Sequence, residues 1–242
     1  MTQHAVSDAW LFDLGNTRLK CAALSTDGAP GEVRVLSSET FDGLPAGRVA
    51  YIASVASESA RVQFLDALAP RFRRIAIART MPCFGRLRIA YAHPHKLGVD
   101  RFLAMLGAEP AWPTLIVGVG TALTLDLVDG DGLHRGGRIA PSPTLMREAL
   151  HARAAQLPPS GGAYVEFADD TEDALASGCD GAALALIDRS IDQATSLLGA
   201  RPSVLLHGGG ADALRIDAAH VQPRPSLVLD GLARWAMQER AP

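Results

Sequence analysis

The stretches "LFDLGNTRLK", Leu11 to Lys20, and "IVGVGTALTL", Ile116 to Leu125, decide how this chain is read. Each begins as an apolar run, reaches a Gly-containing turn and leaves it as a second strand-like run, the pattern of two strands across a tight connection. Aligning Asp13-Leu14-Gly15-Asn16-Thr17 on Gly118-Val119-Gly120-Thr121-Ala122 sets the copies 105 residues apart. A repeat at that offset reads as a duplicated domain, although hairpins of this kind also arise independently. The copies differ in one chemical respect: Asp13 in the first is answered by Gly118 in the second.

Outward from these stretches, period and punctuation continue the pattern. Val33–Leu36, Val49–Ser54 and the run "RIAIAR" read as strands. Between the last two, "SESARVQFLDALAP" starts on a Ser cap and carries helix-spaced apolar residues up to Pro70. A helix over "LGVDRFLAMLGAEPAW" holds Gly98-Val99-Asp100-Arg101 in its first turn and stops at Gly107 and Pro110. Past the second Gly-rich turn, "DGDG" marks a hairpin. The remainder reads as helices over Ser142–Leu157, Thr171–Leu198 and "SLVLDGLARWAMQ", with one strand, "PSVLLHGGG". Strands followed by helices, twice, predict two α/β halves, residues 1–112 and 113–242, with a cleft between them.

At 242 residues, 48% hydrophobic and 20% charged, the chain is long enough to bury a core and ordinary for a globular protein. A formal net charge of −3 gives no basic face for nucleic acid, and the clusters Arg71–Arg74 and Arg86–Arg88 read as solvated surface. Cys21, Cys83 and Cys179 are too far apart for a metal motif and read as reduced, buried small hydrophobes. The N-terminus "MTQHAVSDAW" lacks a signal-peptide pattern and no stretch approaches the ~18 apolar residues of a spanning helix. The expectation is a cytoplasmic protein with no membrane partner.

A Gly-rich turn lets backbone N–H groups approach a phosphate, because no Cβ holds the oxyanion away. Two such turns facing each other would hold a triphosphate, with Asp13 serving a hard cation and Thr17 and Lys20 adding a hydroxyl and a positive charge. The alternative is a plain hairpin with Asp13 as a turn former. Asp100-Arg101 is equally two-sided: a dipole-favoured acid paired with its neighbour, or a proton acceptor beside a carboxylate clamp. The triple glycine of His207-Gly208-Gly209-Gly210 fits flat backbone against an adenine or ribose, or a flexible turn before a helix at "ADAL". His93 and His95 lack a third metal ligand, and His151 and Arg153 read as helix surface or as cleft lining.

Taken in order, "DLGNTRLK", "YAHPHKLGVDR", "GVGTALTLD", "GGRIAPSPTLMREALHARAAQLP", "DTEDALASG" and "HGGGA" resemble one family, the type III pantothenate kinases, which include the Bvg accessory factor homologues. The resemblance covers nearly the whole chain. It implies two duplicated ribonuclease H-like domains of the acetate and sugar kinase, Hsp70 and actin superfamily, with nucleotide in the inter-domain cleft. It also implies phosphorylation of the primary hydroxyl of pantothenate by ATP with Mg²⁺, the first step toward coenzyme A. By position, Asp100 matches the family's proton acceptor, Gly98, Val99 and Arg101 its pantothenate-binding neighbours, and Tyr91 a substrate-contacting tyrosine. Asp13, Leu14, Gly15, Asn16, Thr17, Arg18, Leu19 and Lys20 match the ATP loop, with Asp13 holding Mg²⁺ through water, and Thr121 matches the threonine of the second loop. Thr171 matches a threonine that completes the neighbouring subunit's pantothenate site in a homodimer.

Three positions depart from the family. Gly118 stands where the family carries an Asp that helps hold K⁺ or NH₄⁺, which predicts a weakened or absent monovalent-cation requirement. Ala154 and Asp170 stand where threonine and asparagine are usual, near the pantothenate pocket. Two other readings remain beside the kinase: a nucleotide-binding accessory protein that has lost turnover, and a phosphatase of the same superfamily.

Overall fold

The computed structural model describes residues 8–211, 214, 216 and 221–239. The chain divides into two compact units, one formed by the chain up to Pro110 together with the chain from Ser226, the other by Ala111–Pro225.

In the first unit, β1 (Ala9–Leu14), β2 (Leu19–Ala23) and β3 (Arg34–Leu36) form an antiparallel meander. Strands β4 (Gly47–Ser54) and β5 (Phe72–Ile77) then add in parallel on the other side of β1, giving the order β3-β2-β1-β4-β5. Between them runs α1 (Glu58–Leu68), capped by Ser57, whose hydroxyl accepts the Ala60 N–H at 3.3 Å. Alternation along β1 sends Phe12 and Leu14 to the α1 side, where Phe12 meets Phe64 and Phe72 edge to face. The short hairpin of β6 (Cys83–Phe84) and β7 (Leu87–Arg88) was not foreseen. It buries Leu87 and packs Phe84 on Phe102, which turns Cys83 outward, so this cysteine is exposed rather than buried.

Helix α2 (Val99–Gly107) lies in the same unit, against the chain's last helix, α5 (Leu227–Glu239). A Cβ built on Gly231 would lie 1.8 Å from Leu103 O, and one on Gly107 2.3 Å from Leu227 O. The two helices therefore meet backbone to backbone, which only glycine at those positions permits. Trp235 adds an edge-to-face contact with Tyr51 of β4. The last helix thus belongs with the first half of the chain, not with the second as the boundary at residue 113 had it.

The second unit repeats the first. Strands β8 (Thr114–Val119), β9 (Ala122–Val128) and β10 (His134–Pro141) form the meander, and β11 (Ser203–His207) and β12 (Val221–Pro223) extend it in parallel, in the order β10-β9-β8-β11-β12. Strand β12 is a second strand where the sequence showed one; its three residues are too few to carry a period. Helices α3 (Pro143–Arg153) and α4 (Thr171–Leu198) lie between β10 and β11. Helix α4 sets Ala183, Ile187 and Ile191 on the face of the sheet that carries Val117, Val119 and Leu125. Helix α3 ends at Arg153, short of the expected Leu157, because Ala154 leaves helical geometry and His151 Nδ1–H turns back to donate to Leu157 O at 2.6 Å.

Candidate active site

The central strand of the first sheet delivers Asp13 to the edge where the parallel strands end, the usual location of ligands in open α/β sheets. In register, Asp13 stands between Lys20 of β2 and Ala53 of β4. Gly15 N–H closes the turn by donating to Arg18 O at 3.0 Å, and Asn16, Thr17 and Arg18 form its exposed tip. The side chains of Leu14 and Leu19 are buried in the core, so any part they take in binding is through backbone. A Cβ on Gly15 would meet only Arg18 O at 3.4 Å, and one on Gly120 only Ala122 O at 3.9 Å. Neither turn needs glycine for its own packing; close approach of a ligand would require it.

The second contributor is the start of α2. Thr80 Oγ1 donates to Leu97 O at 2.8 Å and fixes the chain just before Gly98, the helix N-cap. A Cβ on Gly98 would lie 2.5 Å from Asp100 Oδ1, so Asp100 folds its carboxylate into the volume that glycine leaves. Burial pushes the Asp13 carboxyl up to about 6, Lys20 opposes the rise and the nearby Asp100 adds to it. The structure therefore brings the two acids that the sequence singled out into one electrostatic neighbourhood. Arg101, 6% exposed, donates from Nη1 to Tyr91 Oη at 3.2 Å and holds its guanidinium carbon 5.9 Å from the ring centre. Val99 opens the helix beside them.

The donor set suits Mg²⁺. Asp13 and Asp100 offer hard carboxylate oxygens, and the raised pKa of Asp13 marks a charge that a divalent cation would stabilise. Among the described residues no group of three or more His, Cys, Asp or Glu could hold a metal, so such an ion would lean on phosphate oxygens and water. His93 and His95 flank Pro94 on an exposed turn with ring centres 5.8 Å apart.

In the second unit, Gly120 N–H donates to Ala122 O at 2.9 Å and Thr121 is exposed at the turn. Gly118 stands in register between Thr124 of β9 and His207 of β11. A Cβ on Gly118 would lie 2.6 Å from Thr124 Oγ1 and 2.9 Å from His207 Nε2, so the volume of a side chain at 118 is already filled. The next turn is tied to the first: Gly210 N–H donates to Val119 O at 3.0 Å, and Gly208 has φ 103° with its would-be Cβ 2.2 Å from that oxygen. Part of "ADAL" lies outside the described residues. The place of His207 beside Gly118 follows from a strand register that no local pattern reveals.

Thr171 is exposed at the start of α4, where Asp170 accepts the Asp173 N–H at 2.9 Å. Asp170 in place of asparagine is accounted for as a helix cap, a position both residues suit. The segment before it is pinned by Arg147 to Gly161 O at 2.8 Å and by the Ala163 N–H to Asp173 at 2.7 Å. Nothing in the structure explains Ala154 in place of threonine.

A family model described as type III pantothenate kinase matches residues 10–193. A protein of Stenotrophomonas maltophilia strain K279a named type III pantothenate kinase is 56% identical over 240 residues, covering 96% of this chain and 98% of its own. One of the same name from Xylella fastidiosa strain M23 is 55% identical over 234 residues, with 94% and 96% coverage. Among solved structures, a conserved Baf family protein of Campylobacter jejuni aligns with a TM-score of 0.66 at 19% identity, covering 95% of this chain and 98% of that one. The activator of a 2-hydroxyisocaproyl-CoA dehydratase from Clostridium difficile, solved with ADPNP, aligns at 0.50 and 13% identity, over 96% and 94% of the two chains. These likenesses place the chain in the actin, Hsp70 and sugar kinase fold.

Proposed function

The chain belongs to the type III pantothenate kinase family, which phosphorylates pantothenate with ATP in coenzyme A biosynthesis, and from that premise we propose how its residues divide the work. The observation that carries the proposal is the gathering of Asp13, Lys20 and Asp100 with the buried Arg101 and its half-buried partner Tyr91 within one unit.

Arg101 grips the carboxylate of pantothenate, a role that suits a guanidinium held in place by a phenol and shielded from water. Tyr91, Gly98 and Val99 line the same pocket. Asp100 accepts a hydrogen bond from the primary hydroxyl and takes its proton late, as the bond to phosphorus forms, since an ordinary carboxylate is a weak base toward a free alcohol. Backbone at the tip residues Asn16, Thr17 and Arg18, together with Lys20, holds the phosphates, and Thr121 adds a hydroxyl contact to ATP. Asp13 would hold Mg²⁺, which would supply neutralisation of charge on the transferring phosphoryl group. Loss of turnover, as in an accessory protein, would leave no selection for Asp100 folded over Gly98, and a phosphatase has no use for the Arg101 clamp.

The monovalent cation drops out of this scheme. An imidazole and a hydroxyl fill the place of the carboxylate that would hold it. The enzyme works in the cytoplasm as a homodimer in which Thr171 completes the partner's pantothenate site. Phe167, 99% exposed four residues before Thr171, supports a covered face there.

ADP release measured with and without pantothenate, in K⁺ and in Na⁺, tests this. Release is expected to require pantothenate and to differ less than about twofold between the two salts. Release without pantothenate would sink the kinase assignment, and collapse in Na⁺ would sink the cation proposal alone.

A further inference from the structure

The row of residues that the second sheet turns toward α4 changes character at its edge strand. On β8 and β9 the row is apolar and buried, with Leu115 and Val117 on one strand and Leu123, Leu125 and Leu127 on the other. On β10 it continues as Gly136, Arg138 and Ala140, in register with Leu127, Leu125 and Leu123. A glycine and an arginine thus stand where the neighbouring strand holds leucines.

The backbone accounts for the gap. Gly136 has φ 108°, at the point where β10 slips its register against β9. A Cβ there would meet nothing within 4 Å, and α4 answers from the other side with the small residues Ser190 and Ala194. What remains is a cavity of about 350 Å³, within the range of small-molecule sites, floored by Leu115, Leu125 and Leu127. Leu115 and Leu127 pair at the end of β8 and β9 far from the Thr121 turn, so the cavity lies away from the turn assigned to ATP.

Arg138 supplies the chemistry. Ser190, 5% exposed, donates its own proton to Leu186 O at 2.6 Å and accepts one N–H from Arg138 Nη1. A guanidinium has further N–H donors and does not lose its proton, so most of its donors and all of its charge remain to be answered. Among the described residues no Asp or Glu lines the cavity, and the other arginine there, Arg135, is exposed and paired with Asp129 at 3.5 Å. A half-buried cation without a counter-charge is costly, and an anion that brings an apolar body would offset that cost while covering the leucines. The planar fork of a guanidinium matches a carboxylate through two parallel hydrogen bonds.

We propose that this cavity binds a small organic acid, its carboxylate held by Arg138 and its aliphatic body laid on the leucine floor. The site is independent of the kinase reading, since every residue in it lies on β8, β9, β10 or α4 and none belongs to the proposed catalytic set.

Calorimetric titration of the full chain with hexanoate, with hexan-1-ol and with acetate tests it. Hexanoate is expected to bind with a dissociation constant of about 1 mM or tighter, and the other two, lacking the charge or the body, at least about tenfold more weakly. Arg138→Gln, which keeps a donor for Ser190, is expected to weaken hexanoate at least about tenfold. Ala194→Met, which fills the floor and leaves the arginine, is expected to weaken it as much. Hexanoate should also raise the melting temperature of wild type and not that of Arg138→Gln. Failure of wild type to bind hexanoate would overturn the proposal, as would equal affinity for hexan-1-ol or undiminished hexanoate binding in either variant. Should Arg138→Gln not fold, Ala194→Met and the comparison of the three ligands on wild type still decide it.

Discussion

Asp13 is placed at a cost to stability. Its carboxyl is held up to about 6 in the folded chain by burial and by Asp100, against an ordinary value of 3.8. The folded state therefore holds this proton more tightly than the unfolded chain, so ionising Asp13 destabilises the fold. The penalty is absent below about pH 4 and complete above about pH 6. Asp13→Asn is accordingly expected to raise stability by on the order of 2 kcal/mol at pH 8, and by nothing measurable near pH 4, while weakening Mg–ATP binding at least tenfold. Urea unfolding at the two pH values, paired with nucleotide titration, reads both effects; a variant that is less stable at pH 8 would refute the assignment. At Gly98 the expectation is reversed. Gly98→Ala should lower kcat at least tenfold through displacement of the Asp100 carboxylate, with a melting temperature within a few degrees of wild type, checked by steady-state kinetics and thermal unfolding. Asp100 in the first turn of α2, Gly98 before it and the neighbouring Arg101 were legible as a cluster because they sit inside one short motif. The surroundings of Gly118 were not, since His207 reaches it only across a strand pair.

Among the elements, the contact of α2 with α5 sets where Asp100 stands. The close approach of Gly231 to Leu103 O leaves no room for a methyl group, so Gly231→Ala should destabilise the protein by about 2 to 3 kcal/mol in urea unfolding. Val62→Ala, on the exposed side of α1, should change it by less than about 0.5 kcal/mol. Comparable effects of the two would show that the helix crossing is not under such constraint. Period made α1, α2 and α4 readable, with Ser57 legible as a cap, while the cap at Asp170 emerged only from the structure. What escaped were β6, β7 and β12, too short for a period, and the partner of α5. That partner is decided by a glycine-to-backbone fit between residues more than a hundred positions apart, a match no local window contains.

The molecule as a whole carries two sheets of one strand order whose chemistry differs along the row of Asp13 and Gly118. Strand order is identical in both sheets, which the 105-residue echo foretold, while the acid of the first half and the imidazole of the second occupy different strands. The proposed dimer adds a second level of sharing, with Asp100 and Thr171 of one site supplied by different subunits. Mixing inactive Asp100→Asn with inactive Thr171→Ala should then restore about a quarter of the wild-type activity, by random reassortment of subunits. No recovery on mixing would contradict shared sites. The most direct measurement concerns Asp100 itself: kcat of Asp100→Asn at saturating ATP and pantothenate. A fall of about a hundredfold or more, with KM for pantothenate within threefold of wild type, is the result expected if this carboxylate orients the hydroxyl and takes its proton. A kcat within a factor of three of wild type would contradict it.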